Sequence, residues 1–257
     1  MPRRITVLLL ILLLVSALGA CSLKPDPPVE VPSGNGDGVV VPVPKPPKPP
    51  TTPDTTYIGE DGKVMVSDVD SILVLVNKRR NLPPTYVPQD LVRVAVPFPF
   101  EGDQPRMYLR QEAARALEEL FAAALSAGIE LYATSGYRSY ETQQAIFAAN
   151  VAKVGEEEAN KTSARPGQSE HQTGLAMDVT SPFVRYRLVE SFGSTEEGIW
   201  LAENAHLYGF IIRYPRGKEH ITGYSYEPWH VRYVGIDAAK LIFSRGLTLE
   251  DYILYGN

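Results

Sequence analysis

The chain of 257 residues is acidic, with 25 basic and 30 acidic side chains and a formal net charge of −5. This balance gives no support for a nucleic-acid-binding protein, which would need a basic surface to meet phosphates. Cys21 is the only cysteine, so an intramolecular disulfide and a thiolate metal site are both excluded.

The first twenty residues have the pattern of a secretory signal peptide. Arg3 and Arg4 precede an almost wholly apolar run over 5–18, which is too short to be a favoured membrane-spanning helix. The sequence Leu-Gly-Ala-Cys at 18–21 resembles the lipobox of bacterial lipoproteins. This resemblance implies cleavage before Cys21, which would be lipidated and would anchor an extracytoplasmic protein to the membrane. An uncleaved anchor helix, the alternative, would leave the rest of the chain on the same side.

Residues 21–66 are predicted to be a disordered tether rich in proline and glycine. Eleven of the chain's 22 prolines lie between positions 25 and 53. Proline at this density favours extended polyproline II at about 3.1 Å per residue, so this stretch could span on the order of 90 Å. We interpret it as a spacer without a binding function.

Residues 67–257 are long enough for one compact domain with its own core. Helical spacing over 110–127 places four large residues on one face, and Gly128 ends the helix; the four are Leu117, Leu120, Phe121 and Leu125. Ser139 and Ser194 are predicted to cap helices over 140–152 and 195–208. Strands are predicted over 129–135, 175–180, 210–214 and 229–234, with further helices over 236–244 and from 248 onward. This pattern predicts an α+β domain, in which helices pack against a small, mainly antiparallel sheet that carries the site.

Two segments far apart in the chain carry the residue types of a catalytic zinc site. His171 and Asp178 lie seven positions apart in the first segment, and Glu227 and His230 lie three apart in the second. A hydrolytic zinc needs three nitrogen or oxygen ligands, an open position for water, and a carboxylate off the metal that takes the water's proton. His171, Asp178 and His230 are therefore the predicted ligands of one zinc ion per chain, with Glu227 as the base.

The local patterns around these residues indicate strands rather than helices. Alternation along 175–180 turns Asp178 away from the apolar face of its strand. Pro228 argues against a helix in the second segment. Regular alternation would send Glu227 and His230 to opposite faces, so Glu227 is expected on a loop or bulge where the strand begins.

These segments resemble the zinc D-alanyl-D-alanine carboxypeptidases of the vancomycin-resistance type, a family that includes L,D-carboxypeptidases acting on peptidoglycan tetrapeptides. The resemblance covers about 180 residues, from position 76 to the C-terminus. It rests on three motifs, which are Ser-x-His-x-x-Gly-x-Ala-x-Asp at 169–178, Glu-x-Trp-His at 227–230, and Thr-Ser-Gly-Tyr-Arg-Ser at 134–139 followed by Gln143. It implies a zinc metallopeptidase that removes a C-terminal D-alanine from peptidoglycan stem peptides in cell-wall remodelling.

The resemblance also implies roles for individual residues beyond the ligands and the base. Arg138 would stabilise the oxyanion that forms at the scissile carbonyl, where a fixed positive charge in a dry site favours the transition state. Ser169 would bind the terminal carboxylate of the substrate, Gln143 would line the pocket, and Trp229 would lie beside the metal site without binding the ion. Two alternatives stay open, because Arg138 could merely brace its loop through backbone carbonyls and Ser169 could simply belong to a turn.

Several functional alternatives also remain open. The motifs do not separate D,D-specificity from L,D-specificity, and occasional relatives cut internally as endopeptidases. A non-hydrolytic module that binds wall peptides would be expected to have lost Glu227 or a ligand. His206 is interpreted as structural and His220 as part of an exposed loop. The protein is expected to be a monomer.

Overall fold

The computed structural model describes residues 55–255, so the predicted signal peptide and the proline-rich stretch before residue 55 lie outside it. The expected domain start at residue 67 is too late. An antiparallel pair of strands, β1 (Thr56–Ile58) and β2 (Val64–Val66), lies within the segment predicted as tether. Val66 is buried in the main core, and this burial ties the pair to the folded part. No helix among residues 55–255 has the length and apolarity needed to cross a membrane.

A second antiparallel pair consists of β3 (Leu91–Arg93) and β4 (Tyr108–Arg110). The sheet that carries the site has four strands, which are β5 (Tyr132–Ser135), β6 (Ala176–Thr180), β7 (Phe210–Tyr214) and β8 (Glu227–Tyr233). Their order is β5-β6-β8-β7, and every pairing is antiparallel. The predicted α+β class is confirmed, and β6 and β8 occupy the centre of the sheet.

Seven helices among the described residues flank the sheets: α1 (Gln111–Ser126), α2 (Tyr140–Val154), α3 (Glu156–Thr162), α4 (Glu196–Asn204), α5 (Glu219–Thr222), α6 (Ile236–Arg245) and α7 (Leu249–Tyr255). The predicted Ser139 cap is confirmed, since its side chain accepts from the Thr142 amide. The predicted Ser194 cap is wrong. Thr195 caps α4 instead, and its hydroxyl accepts from the Gly198 amide at 3.1 Å.

The main core lies between α1 and the four-stranded sheet. Leu117, Leu120 and Phe121 are buried there as predicted, whereas Leu125 is 71% exposed. At 100° per residue Leu125 falls at the edge of the apolar stripe, while Ala124 lies near its centre and is fully buried. All five residues of β6 are buried, which places its polar side in the protein interior.

Candidate metal centre

Three side chains from two parts of the chain, His171, Asp178 and His230, meet at one point. The atoms through which they could bind a metal all lie within 4.8 Å of one another. His171 Nε2 lies 3.4 Å from Asp178 Oδ2, and His230 Nδ1 lies 3.1 Å from Asp178 Oδ1. All three residues are buried. The structure therefore brings together the three residues that the sequence predicted as ligands.

Strand pairing and a tight turn place these residues. Asp178 in β6 lies directly opposite His230 in β8. His171 belongs to a single 3-10 turn, Glu170–Thr173, which precedes β6. Gly174 ends that turn with φ at 66°, a left-handed conformation that glycine adopts without a steric penalty. The chain can thus reverse between His171 and Asp178 within a few residues.

Glu227 lies at the start of β8, where pairing with β7 is irregular. Ile212 pairs with Val231 and Tyr214 pairs with Glu227, so β8 has two more residues than β7 between these pairs. The irregularity leaves Glu227 beside His230, with Glu227 Oε2 3.8 Å from His230 Nδ1. This confirms the predicted bulge at the beginning of the strand.

Burial controls the pKa values of the titratable groups in this centre. Burial raises the pKa of Glu227 to about 8, because the carboxylate loses hydration that its neighbours only partly replace. Burial and the nearby Arg138 lower the pKa of His171 to about 3. Burial would also lower the pKa of His230, but the negative charges of the adjacent Asp178 and Glu170 carboxylates outweigh it and raise the pKa to about 9.

The donor set fits a zinc ion. Asp178 Oδ1 is buried and accepts no hydrogen bond from any residue in the described range, although His230 Nδ1 is only 3.1 Å away. A buried carboxylate oxygen without a hydrogen bond is costly, and a cation shared with the two imidazoles would satisfy it. Two histidine nitrogens and one carboxylate oxygen leave a tetrahedral zinc with one open position, which is the arrangement of catalytic sites.

The ring of His171 is oriented by the backbone of Gly136. His171 Nδ1 lies 2.9 Å from the Gly136 carbonyl oxygen, so Nδ1 carries the proton and Nε2 faces Asp178. A β-carbon at position 136 would lie 2.5 Å from the Tyr108 carbonyl oxygen, so only glycine lets this loop pack so closely.

A pocket of about 200 Å³ opens over the three candidate ligands and Glu227. The other residues given a role by the sequence, Arg138, Gln143, Ser169 and Trp229, also line it. Arg138 Nη1 donates to Gln143 Oε1 at 2.7 Å and Nη2 donates to Ser135 Oγ at 2.9 Å. Both of these acceptors are neutral, so the charge of Arg138 is held within the pocket without being cancelled by them.

Sequence reasoning missed a buried charge network behind the centre. The Glu170 side chain is fully buried beside His230, and it contacts Arg213 and Arg232, both themselves fully buried. Arg213 also pairs with Glu250 of α7. The sequence did contain a signal for this network, since an arginine lies inside each of two predicted apolar strands. A buried arginine requires an acidic partner.

The two remaining histidines lie elsewhere, as predicted. The His206 ring stacks on Phe243 at 3.8 Å between centroids. His220 is exposed, although it belongs to the short helix α5 rather than to a loop. Neither residue lines the pocket over the ligands.

Comparisons with known proteins agree on one family. A family profile described as VanY, D-alanyl-D-alanine carboxypeptidase, matches residues 106–236. A putative carboxypeptidase, YodJ of Bacillus subtilis strain 168, is 53% identical over 192 residues, which cover 75% of this chain and 70% of YodJ. The solved LdcB L,D-carboxypeptidase is 52% identical with a TM-score of 0.73, over 77% of this chain and 92% of LdcB. A point mutant of the vancomycin-resistance D,D-pentapeptidase VanY, solved with Zn(II), is 37% identical with a TM-score of 0.57, over 70% of this chain and 98% of that protein.

Proposed function

We propose that this chain, which belongs to the VanY family of D-alanyl-D-alanine carboxypeptidases, is a zinc carboxypeptidase that removes a C-terminal D-alanine from peptidoglycan stem peptides. The observation that carries the proposal is the convergence of His171, Asp178 and His230 beneath a pocket that also holds the buried carboxylate of Glu227. A module that only binds peptides would have no need for both a ligand set and a proton acceptor in one cavity.

The three ligands would hold one zinc ion. His171 would bind through Nε2, because its Nδ1 is engaged with the Gly136 carbonyl, and His230 would bind through Nδ1, which faces Asp178. Bound zinc supplies Lewis acidity, which activates water near neutral pH and polarises the scissile carbonyl. Both rings must be neutral at the binding nitrogen, so acid should oppose metal binding.

Glu227 would move the proton during hydrolysis. The oxygen of water bonds to the carbonyl carbon while Glu227 accepts the released proton, and Glu227 then donates this proton to the nitrogen of the departing D-alanine as the carbon–nitrogen bond breaks. A pKa raised by burial suits both halves of this task, since a group that titrates close to neutral pH can accept and return a proton. A positive ion among the ligands would favour its ionised form at the start of the cycle.

Arg138, Ser169 and Gln143 would bind and orient the substrate. Arg138 is held by Gln143 and Ser135, which leaves its remaining N–H groups as donors for the developing oxyanion. Gln143 uses its amide oxygen on Arg138 and donates to the Ala164 carbonyl oxygen at 2.6 Å, so it would act largely by fixing Arg138. Ser169 would donate its hydroxyl to the terminal carboxylate, and Trp229 would support the wall of the pocket.

Defined stem peptides test this function. The zinc-loaded protein would be incubated with a pentapeptide and with a tetrapeptide, and the released amino acid would be identified by chiral chromatography. We expect D-alanine from at least one of the two peptides, and the better substrate decides between L,D- and D,D-specificity, because solved enzymes of both kinds are similar to this chain. Release of D-alanine from neither peptide would contradict the proposal, and products cut at an internal bond would identify an endopeptidase.

We also propose that the protein acts outside the cytoplasm as a monomeric lipoprotein. Support comes from the sequence, in which residues 1–20 have the pattern of a signal peptide ahead of Cys21 and a proline-rich tether follows. Incorporation of a labelled fatty acid into the wild-type chain but not into Cys21→Ser would test the anchor. Light scattering of the same variant in solution would test the monomer.

A further inference from the structure

The carboxylate of Glu170 faces the imidazole of His230 from the side opposite to the candidate metal. Glu170 Oε2 lies 3.4 Å from His230 Nε2. The other oxygen, Oε1, accepts from Arg213 Nε at 2.6 Å and from Arg232 Nη1 at 2.8 Å. The two oxygens of Glu170 are therefore divided between two cations on one side and one ring nitrogen on the other.

Both arginines are themselves held in place. Arg213 donates to both carboxylate oxygens of Glu250, at 2.8 and 2.6 Å. Arg232 donates to the carbonyl oxygens of Ile72 and Val74, at 3.0 and 2.8 Å. Since Arg213 and Arg232 lie in the two adjacent strands β7 and β8, the carboxylate of Glu170 is fixed from two strands and cannot rotate away from the ring.

Stability alone gives a poor reason for such a network. Two buried acids and two buried arginines cancel in charge, but the cost of removing four ions from water commonly equals or exceeds the attraction between them. Well-packed apolar side chains would fill the same space at similar or lower free energy. The contact with His230 offers a chemical reason for keeping the charges.

A neutral imidazole carries one N–H, and the choice of nitrogen decides which one can bind a metal. An ionised carboxylate accepts hydrogen bonds and donates none. We propose that Glu170, held by Arg213 and Arg232, is a positioning residue that keeps the proton of His230 on Nε2 and thereby leaves Nδ1 free for the metal. The inference rests on the proposed zinc site, and it adds the group that selects the binding nitrogen of one ligand.

Glu170→Gln tests this role, with Glu250→Gln as its matched control. Both acids are buried and both pair with Arg213, but of these two acids only Glu170 contacts His230 in the described structure. The zinc dissociation constant of each variant would be measured by competition with a chromophoric chelator, and the thermal unfolding of each metal-free variant would be measured beside it. We expect Glu170→Gln to weaken zinc binding 10- to 100-fold, and Glu250→Gln to change it by less than about threefold while lowering the melting temperature comparably.

Equal zinc affinity in Glu170→Gln and the wild type would overturn the inference, and so would an equal loss of affinity in both variants. Should Glu170→Gln fail to fold, nitrogen NMR of the wild-type zinc protein decides the same point, because the four histidines of the chain give few ring signals to assign. Protonation of His230 at Nε2 would support the inference, and protonation at Nδ1 would contradict it. A wild-type protein that binds no stoichiometric zinc would instead refute the proposed function itself.

Discussion

Glu227→Gln keeps the size of the side chain and removes its ability to accept a proton. In the zinc-loaded protein, a residue that transfers the proton in hydrolysis accounts for roughly 10²- to 10⁴-fold in rate. We expect kcat to fall by that factor while zinc content stays unchanged, because Glu227 is not among the three proposed ligands. Near-normal turnover on a stem peptide would remove Glu227 from the role of base.

The same substitution should make the metal-free protein more stable, although it slows catalysis in the zinc-loaded protein. The pKa of Glu227 is 4.5 in an ordinary setting and about 8 in the fold. At about 1.4 kcal/mol per pH unit, this gap corresponds to at most about 5 kcal/mol of unfolding free energy. Below pH 4.5 the acid is protonated in both the folded and the unfolded chain and carries no penalty. Between pH 4.5 and 8 the loss of unfolding free energy grows with pH, because Glu227 ionises in the unfolded chain but stays protonated in the folded one.

Urea unfolding of chelator-treated protein at several pH values measures this difference. We expect Glu227→Gln and the wild type to have similar stability near pH 4.5, and the variant to be more stable by about 3 kcal/mol at pH 7 and by more at pH 8.5. A stability difference that stays constant with pH would refute the reasoning, because it would show that burial does not shift the titration of this carboxylate.

Four further substitutions, the last of them a control, test other parts of the structure. His230→Ala should abolish stoichiometric zinc binding measured by atomic emission, since it removes one of the three proposed ligands; full zinc content would show that the ligand assignment is wrong. Arg138→Lys should retain zinc but lower kcat/KM by about 10²- to 10³-fold, because the single ammonium nitrogen of lysine cannot take the places of both Nη1 and Nη2 and also reach an oxyanion; an unchanged kcat/KM would contradict this. Thr195→Ala should cost about 1 kcal/mol of unfolding free energy in urea titration, because it removes the cap of α4. Ser194→Ala, at the neighbouring exposed position, should cost much less, and a larger loss there would restore Ser194 as the cap.

The sequence predicted features that short-range patterns determine. The helix after Ser139 begins where a serine can reach an amide three residues ahead, and Thr248 and Asp251 exchange such bonds at the start of α7. The alternation along β6 correctly predicted that Asp178 faces away from the main core. The bulge before His230 followed from the need to bring Glu227 to the same face.

Other features depend on partners that are distant in the chain. Glu170 is 43 positions from Arg213 and 62 from Arg232, so no local pattern could connect them. The three-residue strands β1 to β4 are too short to show periodicity. In addition, β1 and β2 follow a proline-rich stretch, so they were included in the predicted tether. Ser194 and Thr195 are adjacent and both can cap a helix, so tertiary packing decided between them.

The cross-strand pair of Asp178 and His230 makes the bound cation a reporter of strand alignment. These residues are 52 positions apart, yet they face each other in one register of β6 against β8. A slip of one residue would turn the imidazole to the other face of the sheet, although the overall content of helix and strand would hardly change. In a refolded sample, circular dichroism would therefore not distinguish misaligned from correctly aligned molecules. Zinc stoichiometry would distinguish them, because only the correctly aligned molecules would bind the ion.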